Sequence, residues 1–293
     1  MNQDIVLAIA LPVTLFFIML SMGCNLTPAN FKTVLQIPKT MLVGIISQML
    51  LLPILAFVLL YPLELPPEIF IGFMILALSP GGATSNMFAY LADGNLALSI
   101  TLTAIVSMVT PFTIPLVAGW LIATQLDSSS NIQLPFLTTL AKLLVVTLIP
   151  VILGMLLRHF KLNFCNRYEF WLTRIPLIML LLVIGGIIHQ NWHNMPYFIM
   201  QTGLPALLLA SLALIGGYFF AKILFQNEVD SRTIAIETSI QNGGTAILVT
   251  GTILQNNTMT IAPVMYGILM LIPVFIYLIW LNKPRKSITG SRV

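Results

Sequence analysis

Glu237 is the one acidic residue in an apolar stretch, AIETSIQNGGTAILVTG at 235–251, and Gln241 and Asn242 follow it by about one helical turn. A carboxylate inside a membrane costs roughly 3 kcal/mol or more unless its charge is compensated. A bound monovalent cation compensates it well, and carboxylate, amide and hydroxyl oxygens are ligands that suit a hard ion. The first chemistry that these residues indicate is therefore cation binding.

Further oxygen ligands come from a second polar interruption, LSPGGATSN at 78–86, and from the helix after it. Ser85 and Asn86 belong to the interruption. Ser99 and Thr103 are four positions apart, so they share one helix face. Structural alternatives remain open: the two hydroxyls bond to their own backbone, or Gln48 is an interhelical contact.

The cation that balances Glu237 has a second candidate source within the protein itself. Lys142 and Arg174 are the two basic residues that fall inside predicted spans, and either one pairing with Glu237 would make a structural ion pair. Both are more typical of side chains that extend to the membrane surface.

The amino-acid composition indicates a protein that is embedded in a lipid bilayer. Of 293 residues, 58% are hydrophobic and 8% are charged, and the mean hydropathy is +0.99. Soluble proteins carry about 25% charged residues. The net charge of +4 is small and gives no reason to expect a nucleic-acid partner. The N-terminus lacks a basic segment and a cleavage site, so we predict a retained span.

The hydropathy pattern predicts nine membrane spans of roughly 20 residues or more. They are A (about 4–23), B (about 39–62), C (about 67–92), D (about 95–125), E (about 135–159), F (about 170–188), G (about 203–226), H (about 230–256) and I (about 258–282). Spans C and H contain the two polar interruptions, and span D contains Pro111 and Pro115, which predict a kink or tilt.

Basic residues fall on one side of these nine spans, which sets the orientation. That side receives Lys32, Lys39, Arg158, Lys161, Arg167, Lys222 and Arg232, with Lys283, Arg285, Lys286 and Arg292 in the tail. The loops of the other side hold Glu64, Glu68, Asp127, His189 and His193. We therefore predict an inner or plasma membrane protein with its N-terminus outside and its C-terminus in the cytoplasm.

An internal repeat appears when the chain is shifted by 162 positions. PGGAT at 80–84 then lies on NGGTA at 242–246, and spans A, B, C and D lie on F, G, H and I. Span E has no partner, so the repeat has five helices and its first copy lacks the first one. Because five is odd, the copies are inverted, as in many secondary transporters. This predicts a first repeat at 1–125, a second at 126–282 and a basic tail at 283–293.

Two broken helices at matching places predict a binding site near the middle of the membrane. Unwound carbonyls and half-helix C-termini bind cations. Half-helix N-termini, here near Gly82 and Gly243, attract anions.

The two interruptions resemble motifs of the bile acid:sodium symporter family, LSPGGATSN at 78–86 and ETSIQN at 237–242, and the resemblance covers nearly the whole chain. As a bacterial-type member, the protein would have a core of spans B, C, D, G, H and I with two crossed broken helices, and a panel of A, E and F. The resemblance implies an importer of a small organic anion, bile-acid-like or pantoate-like, that works by alternating access and is driven by two sodium ions.

The resemblance also assigns the site residues. The first sodium ion would bind among Ser85, Asn86, Ser99, Thr103 and Glu237, and the second among Gln48, Glu237, Gln241 and the main-chain oxygens of Thr238 and Ile240. Thr84 and Asn242, beside the breaks at Gly82 and Gly243, would face the substrate. The order Ala83-Thr84 is reversed in some relatives.

Other functions fit less well. A proton-coupled or uncoupled carrier of similar fold, like an arsenite or auxin exporter, is the alternative. An arsenite carrier favours a thiol at the crossing, whereas Cys24 and Cys165 lie at span edges. An enzyme would need a base for a nucleophile such as Ser85, and we expect no histidine inside a span to face Ser85. His189 and His193 are expected in a solvated outer loop without a metal. We expect the organic anion and the bilayer as partners, and no obligate protein partner.

Overall fold

Helices dominate this protein because a backbone in lipid has no water to bond, so its N–H and C=O groups must pair within the segment. A computed structural model describes residues 9–27, 29–30, 32, 36–82, 84–126 and 134–282, without the side chain of Glu169. Within these ranges every regular element is helical, and an isolated β-bridge joins Gly81 to Gln241. The all-α class is confirmed for this part of the chain. The start of span A, Ala83, Asp127 and the basic tail at 283–293 lie outside the described residues.

Eleven helical segments follow one another along the described chain. They are α1 (Leu11–Asn25), α2 (Pro38–Leu63), α3 (Pro67–Ala77), α4 (Ser85–Leu91), α5 (Leu96–Gln125), α6 (Phe136–Phe160), α7 (Leu162–Gln190), α8 (Met195–Ile223), α9 (Glu228–Ser239), α10 (Gly243–Ile253) and α11 (Asn257–Leu281). Three π-helical turns widen them, at Ser47–Leu51 in α2, Leu144–Leu148 in α6 and Leu248–Ile253 in α10.

Six of these segments, α2, α5, α6, α7, α8 and α11, are long and apolar enough to cross a membrane. They correspond to the predicted spans B, D, E, F, G and I. Three further apolar helices are shorter: α1, α3 and α10. The first of them corresponds to span A, and the other two belong to the interrupted spans C and H. A multi-pass membrane protein is thus confirmed.

Several helices extend beyond the apolar segments that predicted them. Helix α7 begins at Leu162 rather than near 170, and it ends at Gln190, so His189 is helical and not in a loop. Helix α8 begins at Met195 rather than near 203. Helix α5, in contrast, continues through Pro111 and Pro115 and ends at Gln125, the predicted end of span D. Hydropathy detects the part of a helix that lies in lipid, whereas α7 begins in the polar sequence LNFCNRYE at 162–169.

Loops that were predicted to share one side of the membrane are in contact. Arg158 Nη1 donates to Cys24 O at 2.7 Å, which joins the end of α6 to the end of α1. Thr40 Oγ1 donates to Gln226 Oε1 at 2.6 Å, which joins the start of α2 to the α8–α9 connection. Each pair is separated by an even number of predicted spans, as the alternation of sides requires.

Helix α1 packs closely on α6 because glycines face each other there. A Cβ on Gly23 would lie 2.2 Å from Val151 O, and a Cβ on Gly154 would lie 2.2 Å from Leu20 O. Any side chain at either position would push the helices apart. This contact fixes α1, whose Leu15 in turn packs against the second helix break at Gly244.

Candidate functional site

The two helix breaks lie against each other. Helix α3 ends at Ala77 and α4 begins at Ser85, while α9 ends at Ser239 and α10 begins at Gly243. The Gly82 N–H donates to Ile240 O at 3.0 Å, and the Asn242 N–H donates to Pro80 O at 2.8 Å. The two interruptions therefore satisfy part of each other's backbone, which is the condition for irregular structure inside a membrane.

Glu237 lies in the last turn of α9 before the break and is fully buried. Oε1 accepts hydrogen bonds from Ser85 Oγ (2.6 Å) and Ser99 Oγ. Oε2 accepts from Thr103 Oγ1 (2.8 Å) and Gln48 Nε2 (3.0 Å). All four donors are neutral, and in the described part of the chain no basic side chain pairs with this carboxylate.

Acceptors outnumber protons in this cluster. Ser99 Oγ has one proton to donate, yet it lies within bonding distance of both Asn86 Oδ1 (2.8 Å) and the Glu237 carboxylate. Thr103 Oγ1 is shared in the same way between Ser99 O (3.0 Å) and Glu237. Each hydroxyl can therefore donate to only one of its two acceptors at a time, and an oxygen-binding cation would ease this shortage of donors.

Two buried amide oxygens beside Glu237 add to the shortage. Gln48, in the π-helical turn of α2, donates through Nε2 to Glu237, while its Oε1 has no partner. Gln241 donates through Nε2 to the carbonyl oxygens of Thr238 (2.8 Å) and Glu237 (3.3 Å), and its Oε1 is also unpartnered. Because the bonded nitrogens fix both amide orientations, both oxygens are acceptors in need of a donor or a cation.

The two expected main-chain ligands are already hydrogen-bonded. Thr238 O accepts from Gln241 Nε2, and Ile240 O accepts from the Gly82 N–H. A carbonyl has two lone pairs, so each can still accept a second partner. The Thr238 hydroxyl bonds to Ser47 Oγ at 2.7 Å and to Ile234 O.

The expected substrate residues lie on the same two breaks. Thr84 is half-buried just before α4, and Gly82 packs against Gln241 O, 3.1 Å from an ideal Cβ.

Asn242 Oδ1 caps α10 by accepting from the Thr245 N–H at 3.1 Å, and Gly243 N–H bonds to Gln241 O. Asn242 Nδ2 is buried and unpartnered, as is Thr245 Oγ1. The second break thus presents buried donors that nothing in the described chain accepts.

Gly81, Ser47 and Thr245 were missed from the sequence. A Cβ on Gly81 would lie 2.6 Å from Glu237 Oε2 and 3.7 Å from Gln48 Nε2, so only glycine leaves room beside the carboxylate. The signal for it was present, since Gly81 precedes the selected Gly82 in the same motif. Thr245 likewise lies in the NGGTA motif at 242–246, whereas Ser47 had no comparable signal.

The structural alternatives for Glu237 do not occur. Lys142 is exposed on α6, and the guanidinium of Arg174 lies 3.9 Å from the centre of the Phe170 ring. Cys24 and Cys165 are free, buried and neighbours of each other, at the contact between α1 and α7. No group of three or more potential metal ligands among histidine, cysteine, aspartate and glutamate occurs in the described residues.

Comparison with known proteins places this chain among sodium-dependent transporters. The model of the Sodium Bile acid symporter family matches residues 12–196, which include the first break but not Glu237. The Bacillus subtilis protein YocS, described as an uncharacterized sodium-dependent transporter, is 28% identical over 79% of this chain and 71% of its own length. The ileal sodium/bile acid cotransporter of Oryctolagus cuniculus is 30% identical over 82% of this chain and 68% of its own.

A plant relative is matched over less of its length. The probable sodium/metabolite cotransporter BASS1 of Arabidopsis thaliana chloroplasts is 30% identical over 76% of this chain and 54% of its own length. The names of these relatives from bacteria, plants and animals all refer to sodium-dependent transport, and the family is one of transporters rather than enzymes. On the extent of the family match and the similarity to the ileal cotransporter, this chain belongs to the Sodium Bile acid symporter family.

Proposed function

We propose that this protein is a symporter that imports a small organic anion, bile-acid-like or pantoate-like, together with sodium ions by alternating access. The observation that carries the proposal is the fully buried Glu237 carboxylate, surrounded by neutral donors and by oxygens in need of a partner. An uncompensated buried charge is strongly destabilising. A cation that enters from solution is the simplest compensation, and the transport cycle can use it.

Sodium accounts for the surrounding oxygens better than a proton does. A proton on Glu237 would satisfy one acceptor. Gln48 Oε1 and Gln241 Oε1 would still have no partner, and the hydroxyls of Ser99 and Thr103 would still be shared between two acceptors each. A hard cation accepts several oxygen ligands at once. The proton-coupled or uncoupled carrier therefore remains the second candidate, and it is favoured only if sodium has no effect on the protein.

Two ion positions are consistent with this geometry. The first would use Ser85, Asn86, Ser99 and Thr103 on one side of Glu237. The second would use Gln48, Gln241 and the carbonyl oxygens of Thr238 and Ile240 on the other. Glu237 contributes one oxygen to each side, since Oε1 faces Ser85 and Ser99 while Oε2 faces Gln48. Thr103, which bonds to Oε2, lies between the two positions.

The anion would bind beside these ions at the second break. Asn242 Nδ2 supplies unpartnered N–H donors, and the start of α10 carries partial positive charge. Gly243 N–H and Thr245 N–H are already bonded, so the amide of Asn242 is the main donor. Thr84 and Gly82 would complete the site from the first break. Sodium and the anion would then raise each other's affinity by the same factor.

The proposed architecture has nine spans, with repeats at 1–125 and 126–282 that are inverted in the membrane. Two features support the repeat. The reciprocal bonds from Gly82 to Ile240 and from Asn242 to Pro80 relate the breaks by a local two-fold axis, at an offset of 160 positions rather than 162. Left-handed residues follow the two short half-helices at an offset of 162, at Asp93 (φ 53°) and Gln255 (φ 52°).

Alternating access would move the panel against the core. We assign α1, α6 and α7 to the panel and the remaining helices to the core. The N-terminus would be outside, and the basic tail at 283–293 would be cytoplasmic, in the inner or plasma membrane. This orientation is supported because most of the basic residues would then lie in cytoplasmic loops and in the tail, where Lys and Arg are in excess in membrane proteins.

Calorimetry with matched ligands tests the proposal. Organic acids and their neutral amides are titrated into purified protein in sodium chloride, then in potassium chloride at equal ionic strength. We expect the acid to bind at least tenfold more tightly in sodium than in potassium, and the amide to lose most of that difference. An amide that binds as well as its acid, or an acid that is indifferent to sodium, contradicts anion symport and favours the uncoupled carrier.

A further inference from the structure

The connection between α4 and α5 is hydrogen-bonded to the first half of α9. The Asn95 N–H donates to Thr233 Oγ1 at 2.7 Å, and Asn95 Nδ2 donates to Asp230 Oδ1 at 2.8 Å. Arg232 Nη1 adds a bond to Ala92 O at 3.3 Å. Three hydrogen bonds therefore fix this connection to α9, and two of them involve Asn95.

Asp230 is a second buried carboxylate on α9, and its hydrogen-bond donors are neutral. Its side chain lies in a residue that is 6% exposed, and Oδ2 accepts from Asn227 Nδ2 at 2.7 Å while Oδ1 accepts from Asn95. Asn227 Oδ1 in turn caps α9 by accepting from the Asp230 N–H at 2.8 Å. The partial positive charge at a helix start stabilises a carboxylate there. Both oxygens of Asp230 thus have a specific donor, which fixes the orientation of this side chain.

Gly94 allows the connection to lie this close to α9. A Cβ on Gly94 would lie 2.7 Å from Thr233 Oγ1 and 2.8 Å from Ala89 O. Any side chain there would push the connection away from α9 and break the bond between Asn95 and Thr233. The close approach therefore serves the same contact as the hydrogen bonds.

The same two helices meet again one turn further along, at the proposed first sodium position. Ser99 is four residues beyond Asn95, and Glu237 is four residues beyond Thr233, so each lies on the same face of its helix. Ser99 Oγ donates to Glu237 Oε1, and the Ser99 N–H donates to Asn95 O at 3.0 Å. The contact at Asn95 therefore sets the register in which α5 presents Ser99 to Glu237.

The neutral side chains of the first sodium position all come from the two helices that this connection joins. They are Ser85 and Asn86 of α4 and Ser99 and Thr103 of α5. In the second position, by contrast, Gln48 belongs to α2 and Gln241 follows α9 directly. A shift of the connection against α9 would move the first set of ligands relative to Glu237 and leave Gln48 and Gln241 in place.

The other copy of the proposed repeat provides a comparison within the molecule. At an offset of 162 positions, Asn95 corresponds to Asn257 and Asp230 corresponds to Glu68, so an amide and a carboxylate are present in both copies. Within the described residues no hydrogen bond joins Glu68 to Asn257, and Asn257 is exposed. The side-chain bond is therefore made in one copy and not in the other.

The copy without this bond also lacks the proposed ion ligands. Ile75 occupies the position that corresponds to Glu237, and Ile261 occupies the position that corresponds to Ser99. An isoleucine side chain has no oxygen with which to bind a cation. The bond between the amide and the carboxylate thus accompanies the ion ligands, and the repeat alone does not require it.

We propose that Asn95 and Asp230 are positioning residues for the first sodium ion, and that the bond between them holds Ser99 and Glu237 at the spacing that the ion needs. The inference rests on the proposed function and adds to it the residues that set the geometry of one ion position. Neither side chain touches the ion, because both act through the register of α5 and α9.

The variant Asn95→Asp separates register from charge. It retains an acceptor for the Leu98 N–H, which Asn95 Oδ1 caps, but it places two carboxylates against each other. An added negative charge would by itself attract sodium, whereas a disturbed register weakens its binding. We expect the sodium concentration at the midpoint of the melting shift to rise at least tenfold, measured on full-length protein in nanodiscs with potassium keeping the ionic strength constant.

An exchange of the two side chains should restore the site. In the double variant Asn95→Asp with Asp230→Asn, the amide at position 230 can donate to the carboxylate at position 95 and still accept from Asn227 Nδ2. We expect a sodium midpoint within threefold of wild type. Asn257→Asp makes the same change at the equivalent position of the other copy, so it is the matched control and should respond to sodium as wild type does.

The outcomes separate this inference from the proposed function. A sodium midpoint in Asn95→Asp that equals or falls below that of wild type overturns the inference, even if the melting temperature in potassium drops, because the bond then serves packing alone. A double exchange that binds sodium at least tenfold more weakly than wild type also overturns it, and this result decides the matter if the single variant does not fold. An equal loss in Asn257→Asp would show that the effect is not local and would overturn it too. If wild type itself shows no difference between sodium and potassium, the proposed function fails and the inference with it.

Discussion

Two glutamates on helix α9 show how the same side chain is used in opposite ways. Glu228, in the first turn, is partly exposed, pairs with Lys222 Nζ and Arg232 Nε at 3.2 Å each, and accepts from the Tyr218 hydroxyl at 2.9 Å. Glu237, in the last turn, is fully buried and has only neutral donors. The protein neutralises the first carboxylate with its own cations, and under the proposed function the second is left for a cation from solution.

The contrast is most strongly tested by removing the buried charge. Glu237→Gln keeps the shape of the side chain but eliminates the attraction for cations on both sides. In wild type, sodium at about 100 times its Kd should stabilise the fold by roughly 2.7 kcal/mol. We expect this stabilisation to be lost in the variant, as measured by melting temperature against sodium concentration. An unchanged sodium response would mean that Glu237 is not the ion site.

The next largest effect should come from filling the space beside Glu237. Gly81→Ala places a methyl group 2.6 Å from Glu237 Oε2, where an ion would need room. We expect sodium affinity to fall at least tenfold in a melting assay. Gly119→Ala is the matched control, because a Cβ at Gly119 meets nothing within 4 Å. Equal sodium affinity in both variants would show that the close approach of Gly81 serves packing alone.

Gln48→Ala should produce an intermediate effect, because it removes one ligand of the proposed second position and leaves the first intact. Each sodium ion moved through 100 mV contributes roughly 2.3 kcal/mol to accumulation. Losing one coupled ion should therefore lower concentrative uptake more than it lowers anion binding. The measurement is the steepness of uptake against sodium concentration in proteoliposomes. A steepness equal to that of wild type would make Gln48 an interhelical contact and no more.

Glu228→Gln should have the smallest effect of the series. Exposed ion pairs contribute up to about 1 kcal/mol, so we expect a small loss of stability and a wild-type sodium response. Burial raises the pKa of Glu228, but hydrogen bonds from Tyr218, Lys222 and Arg232 outweigh it and hold the pKa below the usual 4.5. Its stabilisation is therefore present above pH 4.5 and is lost as pH falls through the lowered pKa. A sodium response that weakens in Glu228→Gln would remove the contrast between the two glutamates.

The sequence predicted the ion cluster because polar residues inside apolar spans are conspicuous. Glu237, Ser85, Ser99 and Thr103 were selected on that ground, with Gln48 added by the family resemblance, and the fold brings all five together. Their roles as ligands stay a prediction. The all-α fold class could be predicted from the sequence as well, because long apolar stretches have few other stable conformations in lipid.

Other features depend on the path of the backbone and could not be read from residue types. The near approach of Gly81 to Glu237 and the bond from Gly82 to Ile240 O arise only when the two breaks are in contact. Helix ends were displaced where polar residues continue a helix beyond the membrane, as at the start of α7.

Whether sodium or a proton neutralises Glu237 is decided most directly by the melting temperature of the wild-type protein, measured against sodium at several fixed pH values with potassium as the control. The account predicts saturable stabilisation by sodium and not by potassium, with a midpoint that moves to higher sodium concentration as pH falls, because protons compete for the same carboxylate. Stabilisation that follows pH and is the same in sodium and potassium would contradict it.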